Sequence, residues 1–228
     1  MRPGGVEVEL EQDECPAPPR RGGRPTKDDE LRLSEKIVEV ATALFLKDGY
    51  GATSVEAVAR AARISKRTFY HRFADKAALF AAVVHRIVAG LRPPPNVPIF
   101  EGANTEAVLH HIARMMVHAT VEPTALALHR MIVSEAIRFP ELAAAVTAEG
   151  SRAEAIAGIS GILSREAATG RFDVADPELA AEQFIQLVIA APQRRALGLG
   201  NAMTMDEREK WAEAAVRLFL NGCRAPSL

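Results

Sequence analysis

Between Thr53 and Phe73 the chain reads TSVEAVARAARISKRTFYHRF, two short helical patterns with a brief connection between them. Val55, Val58, Ala59 and Ala62 fall at i, i+3, i+4 and i+7, one apolar face of a 3.6-residue repeat. Thr53 and Glu56 have the spacing T-x-x-E, which predicts that the Thr53 hydroxyl caps a helix starting at Ser54 while Glu56 reaches back to the Thr53 amide. Ser65 is placed to cap the second helix, and Ile64 precedes Phe69 at the spacing of a hydrophobic staple. Phe69 and Phe73 then face inward, leaving Lys66, Arg67, Thr68, Tyr70, His71 and Arg72 over the outer surface of a very short helix. A helix with so little apolar face does not persist alone. The segment therefore commits the chain to a bracketed helix-turn-helix, an arrangement that can place one short basic helix in the major groove of DNA.

The flanks supply the bracket. Ile37, Val40, Ala41, Leu44 and Phe45 repeat the helical spacing upstream, and Gly49 and Gly51 stop that helix. Downstream, Asp75 can cap a helix carrying Leu79, Ala82, Val83 and Ile87 on one side until Pro93, Pro94 and Pro95 end it. From Thr105 onward the pattern is helical without strand alternation, over about 105–119, 123–138, 141–168, 177–191 and 205–221. Pro123, Pro140 and Pro177 suit first helical positions, Asp176 can cap at Pro177, and Thr204 with Glu207 repeats T-x-x-E. Gly150, Gly158 and Gly161 mark 141–168 as bent or divided. The expected fold is all-α. It has a tail over 1–27, a three-helix helix-turn-helix DNA-binding domain over 28–92, and a larger helical domain over 93–228.

Charge is segregated along the same boundaries. Residues 20–92 hold 15 Lys and Arg against 8 Asp and Glu, a net +7, whereas 1–19 and 93–228 are each −4 within an overall −1. A positive domain on an otherwise acidic molecule turns that domain toward a phosphate backbone. Arg20, Arg21 and Arg24 precede the first helix with no apolar residue to pack, and an arm of this kind can enter the minor groove beside a major-groove helix. Residues 1–19 read as disordered, with no role assigned. The chain has no run of 18 apolar residues, and acidic residues and prolines stand where a signal peptide would be apolar, so a cytoplasmic location is expected. Cys15 and Cys223, at opposite ends, form a poor disulfide framework.

The stretch from about Leu31 to Leu91 closely resembles the DNA-binding domain of the TetR family of bacterial transcriptional regulators. The linked positions that carry the likeness are Gly49-Tyr50, Thr53-Ser54, Ala59, Ala62, Ser65-Lys66, Phe69-Tyr70, Phe73 and Lys76. Two departures stand out: Arg63 occupies the turn position usually held by Gly, and Arg72 replaces the frequent His before the Phe. The segments 126–146 and 167–191 resemble, more loosely, the C-terminal domain of AefR-like members. The resemblance implies a repressor that a small-molecule effector releases from a palindromic operator. It places Lys66, Arg67 and Thr68 at base edges, with Arg67 toward guanine O6 and N7, and Thr53, Ser65, Tyr70, His71, Arg72 and Lys76 at phosphates.

TetR-family proteins pair through their last two helices, which here carry the stripes Phe184, Leu187, Val188 and Trp211, Ala215, Leu218, Phe219; the same stripes would complete the core of a monomer. A homodimer is expected, because two reading helices roughly 34 Å apart can follow a palindrome that one cannot. Polar or soft residues on apolar helices are candidates for the effector pocket: Met115, His118, His129 and Met131, with Glu135, Phe139, Phe184 and Gln186. Each also fits an ordinary core or surface position. His110, His111 and His118 lack the spacing of a metal site, and no cofactor is expected. An enzyme and a helical protein-binding adaptor are the rival readings. The C-terminal helices offer no nucleophile motif, carboxylate pair or phosphate loop, while Arg63 and Arg72 leave the adaptor open.

Overall fold

The computed structural model describes residues 27–92 and 104–224. Arg20, Arg21, Arg24, Cys15 and the Pro93 to Pro95 block lie outside the described residues. Among the described residues ten helices follow in order: α1 Lys27–Asp48, α2 Val55–Ala62, α3 Lys66–Arg72, α4 Lys76–Leu91, α5 Thr105–Thr120, α6 Pro123–Glu135, α7 Glu141–Glu149, α8 Ser151–Ala168, α9 Pro177–Ala196 and α10 Met205–Cys223. The fold is all-α, as expected. Gly150, at φ +81°, divides the 141–168 segment into two helices. The described helices include none long and apolar enough to cross a membrane.

Most caps fall where local chemistry puts them. Asp75 accepts from the Ala78 amide and Asp176 from those of Glu178 and Leu179, while Thr204 and Glu207 exchange hydrogen bonds in a capping box. The cap of α2 differs from expectation. Thr53 is only 3% exposed and its hydroxyl donates to the Gly49 carbonyl at 2.8 Å, so Ser54 caps α2 instead, accepting from Ala57 at 3.1 Å.

Two apolar clusters organise the molecule. The first joins Ile37, Phe45, Phe69, Phe80 and Val84 of α1, α3 and α4 to Leu128 and Met131 of α6 and Leu142 of α7. Residue 92 is thus no break in the core, because α6 and α7 close the base of the N-terminal helices. The second gathers Leu109, Ile112, Leu163, Phe184, Val188, Ala212 and Val216 from α5 and α8–α10.

Pro192 lies inside α9 and has no amide hydrogen to give the Val188 carbonyl four residues back. The Trp211 indole of α10 donates to that carbonyl at 2.9 Å and pins the two helices together. Three of the seven residues of the expected dimer stripe are spent on the core. Phe184 and Val188 are fully buried and Ala215 is 4% exposed, all within their own chain, whereas Leu218 is 64% exposed. The stripe reading is corrected accordingly: Phe184, Val188 and Ala215 are core, because a helix packed on its own bundle shows the same periodicity as one facing a partner.

Candidate nucleic-acid interface and its link to the C-terminal helices

The turn between α2 and α3 is built on Arg63. It adopts φ +59°, ψ +47°, the left-handed conformation, and it is the one non-glycine residue with positive φ among those described. The Arg63 amide donates to the Arg60 carbonyl and the Ile64 amide to that of Ala59, the two bonds of a Schellman ending. The arginine holds this left-handed turn at a cost of roughly 1 kcal/mol.

Ser65 then caps α3, accepting from the Thr68 amide at 3.0 Å, with the two hydroxyls 2.9 Å apart. Phe69 is fully buried beneath α3 and Phe73 packs against the same cluster. Lys66, Arg67, Tyr70 and His71 are exposed on the outer side, and the Tyr70 ring stands edge-on to Phe69. Lys66 is not free on that face. Its ammonium lies 2.5 Å from the Glu56 carboxylate of α2. This hydrogen bond holds the Glu56 carboxyl below its ordinary pKa and raises that of Lys66.

Three of the residues expected at phosphates make contacts within the chain. Thr53 is buried beneath the turn with its hydroxyl hydrogen committed to Gly49. Arg72 is 16% exposed, and its guanidinium turns back 3.7 Å from Glu30 of α1. Lys76 places its ammonium over the Tyr50 ring, 4.1 Å from the centroid. Burial pulls the Lys76 pKa below its ordinary value against the opposing effect of Glu135 and Glu141.

Lys76 belongs to a second constellation that the sequence did not reveal. The Glu135 carboxylate at the end of α6 accepts from the Tyr50 amide at 2.9 Å and the Gly51 amide at 2.6 Å, across the connection between α1 and α2. The Tyr50 hydroxyl donates to Glu141 of α7 at 3.0 Å, and the Phe139 ring packs edge-on against Tyr50 at 5.2 Å. Tyr50 is 3% exposed, and burial together with Glu141 pushes its pKa well above the ordinary phenol value. Helices α6 and α7 therefore grip the connection that leads directly into α2.

Four of the residues expected in the effector pocket are instead engaged in contacts within the chain. Glu135 and Phe139 join the two parts of the chain, and Met131 lies in the first apolar cluster at 6% exposure. Phe184 packs on Phe219 inside the second cluster. Met115 and His129 are partly buried, while His118 and Gln186 are exposed. None of these eight residues lines the groove of about 400 Å³ that runs between the start of α9 and the end of α10, bordered by Asp173, Asp176, Leu179, Leu218, Phe219 and Cys223.

Two family models match the chain. That of the bacterial regulatory proteins, tetR family, covers residues 37–83, and that of the AefR-like transcriptional repressor C-terminal domain covers 107–222. Among solved structures, the flavonoid-responsive regulator FrrA is 30% identical, with 86% of this chain and 99% of that one covered at a TM-score of 0.74. A TetR-family regulator from Mesorhizobium loti is 28% identical over 86% and 98%, with a TM-score of 0.69. Another from Pseudomonas syringae is 25% identical over 86% and 98%, with a TM-score of 0.64.

Proposed function

Because the chain belongs to the TetR family and carries an AefR-like repressor domain, we propose that it acts as a homodimer on a palindromic DNA operator and leaves it when a small molecule binds among the C-terminal helices. The observation that carries the reading is the outer face of α3. Arg67, Tyr70 and His71 are exposed there on a helix whose start is capped by Ser65 and whose underside is locked by Phe69. Arg67 has the planar fork that meets guanine O6 and N7. In this reading Ser65, Tyr70 and His71 meet phosphates on either side, and Arg20, Arg21 and Arg24 follow the minor groove.

The grip on Tyr50 supplies the route for release. An effector that shifts α6 and α7 moves Glu135 and Glu141, and with them the connection into α2, so the separation of two reading helices in a dimer changes. Turning a mostly bound population into a mostly free one requires about a 10⁴-fold preference of the effector for the released form. FrrA is named as responsive to flavonoids, and planar aromatic compounds are the first class to screen here. Dimerisation falls to the outer side of α9 and α10, where Leu179 and Leu218 are 50% and 64% exposed beside the groove.

Titration of the intact protein against a duplex it has selected and against a random duplex, at two salt concentrations, tests the reading. The selected duplex is expected to bind at least about 10³-fold more tightly, with both affinities falling as salt rises. Equal, weak binding to both would remove it.

A further inference from the structure

Glu56 is the sole acidic residue between Thr53 and Phe73, in a segment otherwise rich in Lys and Arg. It occupies the second position of α2, and Lys66 the first of α3. Their ion pair therefore bridges the two helices of the motif. Both side chains are more than half exposed, at 52% and 58%, so burial does not force the contact. A carboxylate on a surface that meets phosphates opposes binding by itself. It also offers a neighbouring ammonium a fixed anchor.

An ammonium has three donors on a flexible four-carbon stem and takes any phosphate it can reach. With one donor held by Glu56, the remaining two are directed and the stem has lost most of its reach. Building on the DNA-reading function above, we propose that Glu56 is a specificity-determining residue. It aims Lys66 at the acceptor edge of a guanine and keeps it off the backbone of non-operator DNA. On the operator the Glu56–Lys66 pair survives, because the two free donors meet O6 and N7 of one base. On other sequences Lys66 gains a phosphate only by abandoning Glu56, whose charge is then left facing the backbone.

Glu56→Gln keeps the size of the side chain and removes its charge; Glu56→Ala removes the anchor altogether. Both are compared with the unaltered full-length chain on the duplex that the latter selects from a randomised pool and on random duplex. Each variant is expected to bind random DNA about tenfold more tightly, with a salt slope steeper by roughly 1.8, the value of one added phosphate contact in each half of the dimer. Operator affinity is expected to stay within about threefold, and preference at one guanine to flatten. In a Lys66→Ala background the same Glu56 changes should leave that preference unaltered, because the anchor then has nothing to aim. An unchanged ratio of operator to random affinity in both variants overturns the proposal while leaving DNA reading intact. If the unaltered chain enriches no sequence, the DNA-reading function itself fails, and Glu56's role with it.

Discussion

Glu135 and Gly51 are separated by 84 positions in the chain and by 2.6 Å in the structure, the carboxylate of one accepting from the amide of the other. The same carboxylate takes the Tyr50 amide, so one side chain of α6 satisfies two backbone donors in the connection ahead of α2. Hydrogen bonds to a charged acceptor contribute about 1.5–3 kcal/mol each at most. Glu135→Ala is expected to destabilise the fold by about 1–3 kcal/mol. A methyl group at Gly51 would lie 2.9 Å from Glu135 and from the Phe139 ring, so Gly51→Ala is expected to cost about as much through overpacking. Denaturant titration measures both; a change under about 0.5 kcal/mol, the range of ordinary surface substitutions, would contradict the grip.

Tyr50 gives this contact a pH dependence. Its pKa in the fold lies above that of an exposed phenol, so between about pH 10 and the raised folded value the unfolded chain loses a proton that the native chain retains. Unfolding then releases protons, and stability falls as pH rises. Tyr50→Phe is expected to cost about 1 kcal/mol at neutral pH for the lost bond to Glu141, and to narrow that deficit above about pH 10. A deficit independent of pH would show that the phenol does not ionise differently in the two states.

The α9–α10 joint depends on a replacement donor. Trp211→Phe leaves the Val188 carbonyl without its indole partner, and Pro192 cannot supply one. Thermal melting is expected to show a loss of about 1–3 kcal/mol. Restoring an amide with Pro192→Ala should recover part of it in the double variant. Additive losses would mean that the carbonyl is satisfied otherwise.

How far these features could be read in advance depended on their range. Ser65, Asp75, Asp176 and Thr204 were legible because a cap and the amides it serves lie within three residues of each other. Thr53 misled because a carbonyl of the preceding helix, at Gly49, competed for its hydroxyl, leaving the adjacent Ser54 to cap. Glu135 and Phe139 read as pocket residues because a polar or aromatic side chain on an apolar helix looks the same whether it faces a ligand or another part of the chain. Phe184 and Val188 read as interface for a similar reason: periodicity identifies the covered side of a helix without identifying what covers it.

Arg63 carries strain that a substitution can relieve. Arg63→Gly removes the Cβ responsible for roughly 1 kcal/mol at φ +59°, partly offset by the greater freedom of glycine in the unfolded chain. The expected result is a gain of between zero and about 1 kcal/mol, whereas the β-branched Arg63→Val should lose more than about 1 kcal/mol. Equal stabilities for the two variants would contradict the left-handed turn.

Reading of base edges by α3 is tested most directly at Arg67, which is exposed on the outer face and fixed by no cap or core contact described above. The measurement is selection of bound duplexes from a randomised pool by the intact chain and by Arg67→Ala. The intact chain is expected to enrich a palindrome with half-sites about one helical turn apart, and Arg67→Ala to lose discrimination at one symmetric pair of guanines at a cost of about 1–3 kcal/mol. Enrichment of the same sequence by both proteins, with only a uniform fall in affinity, would contradict it.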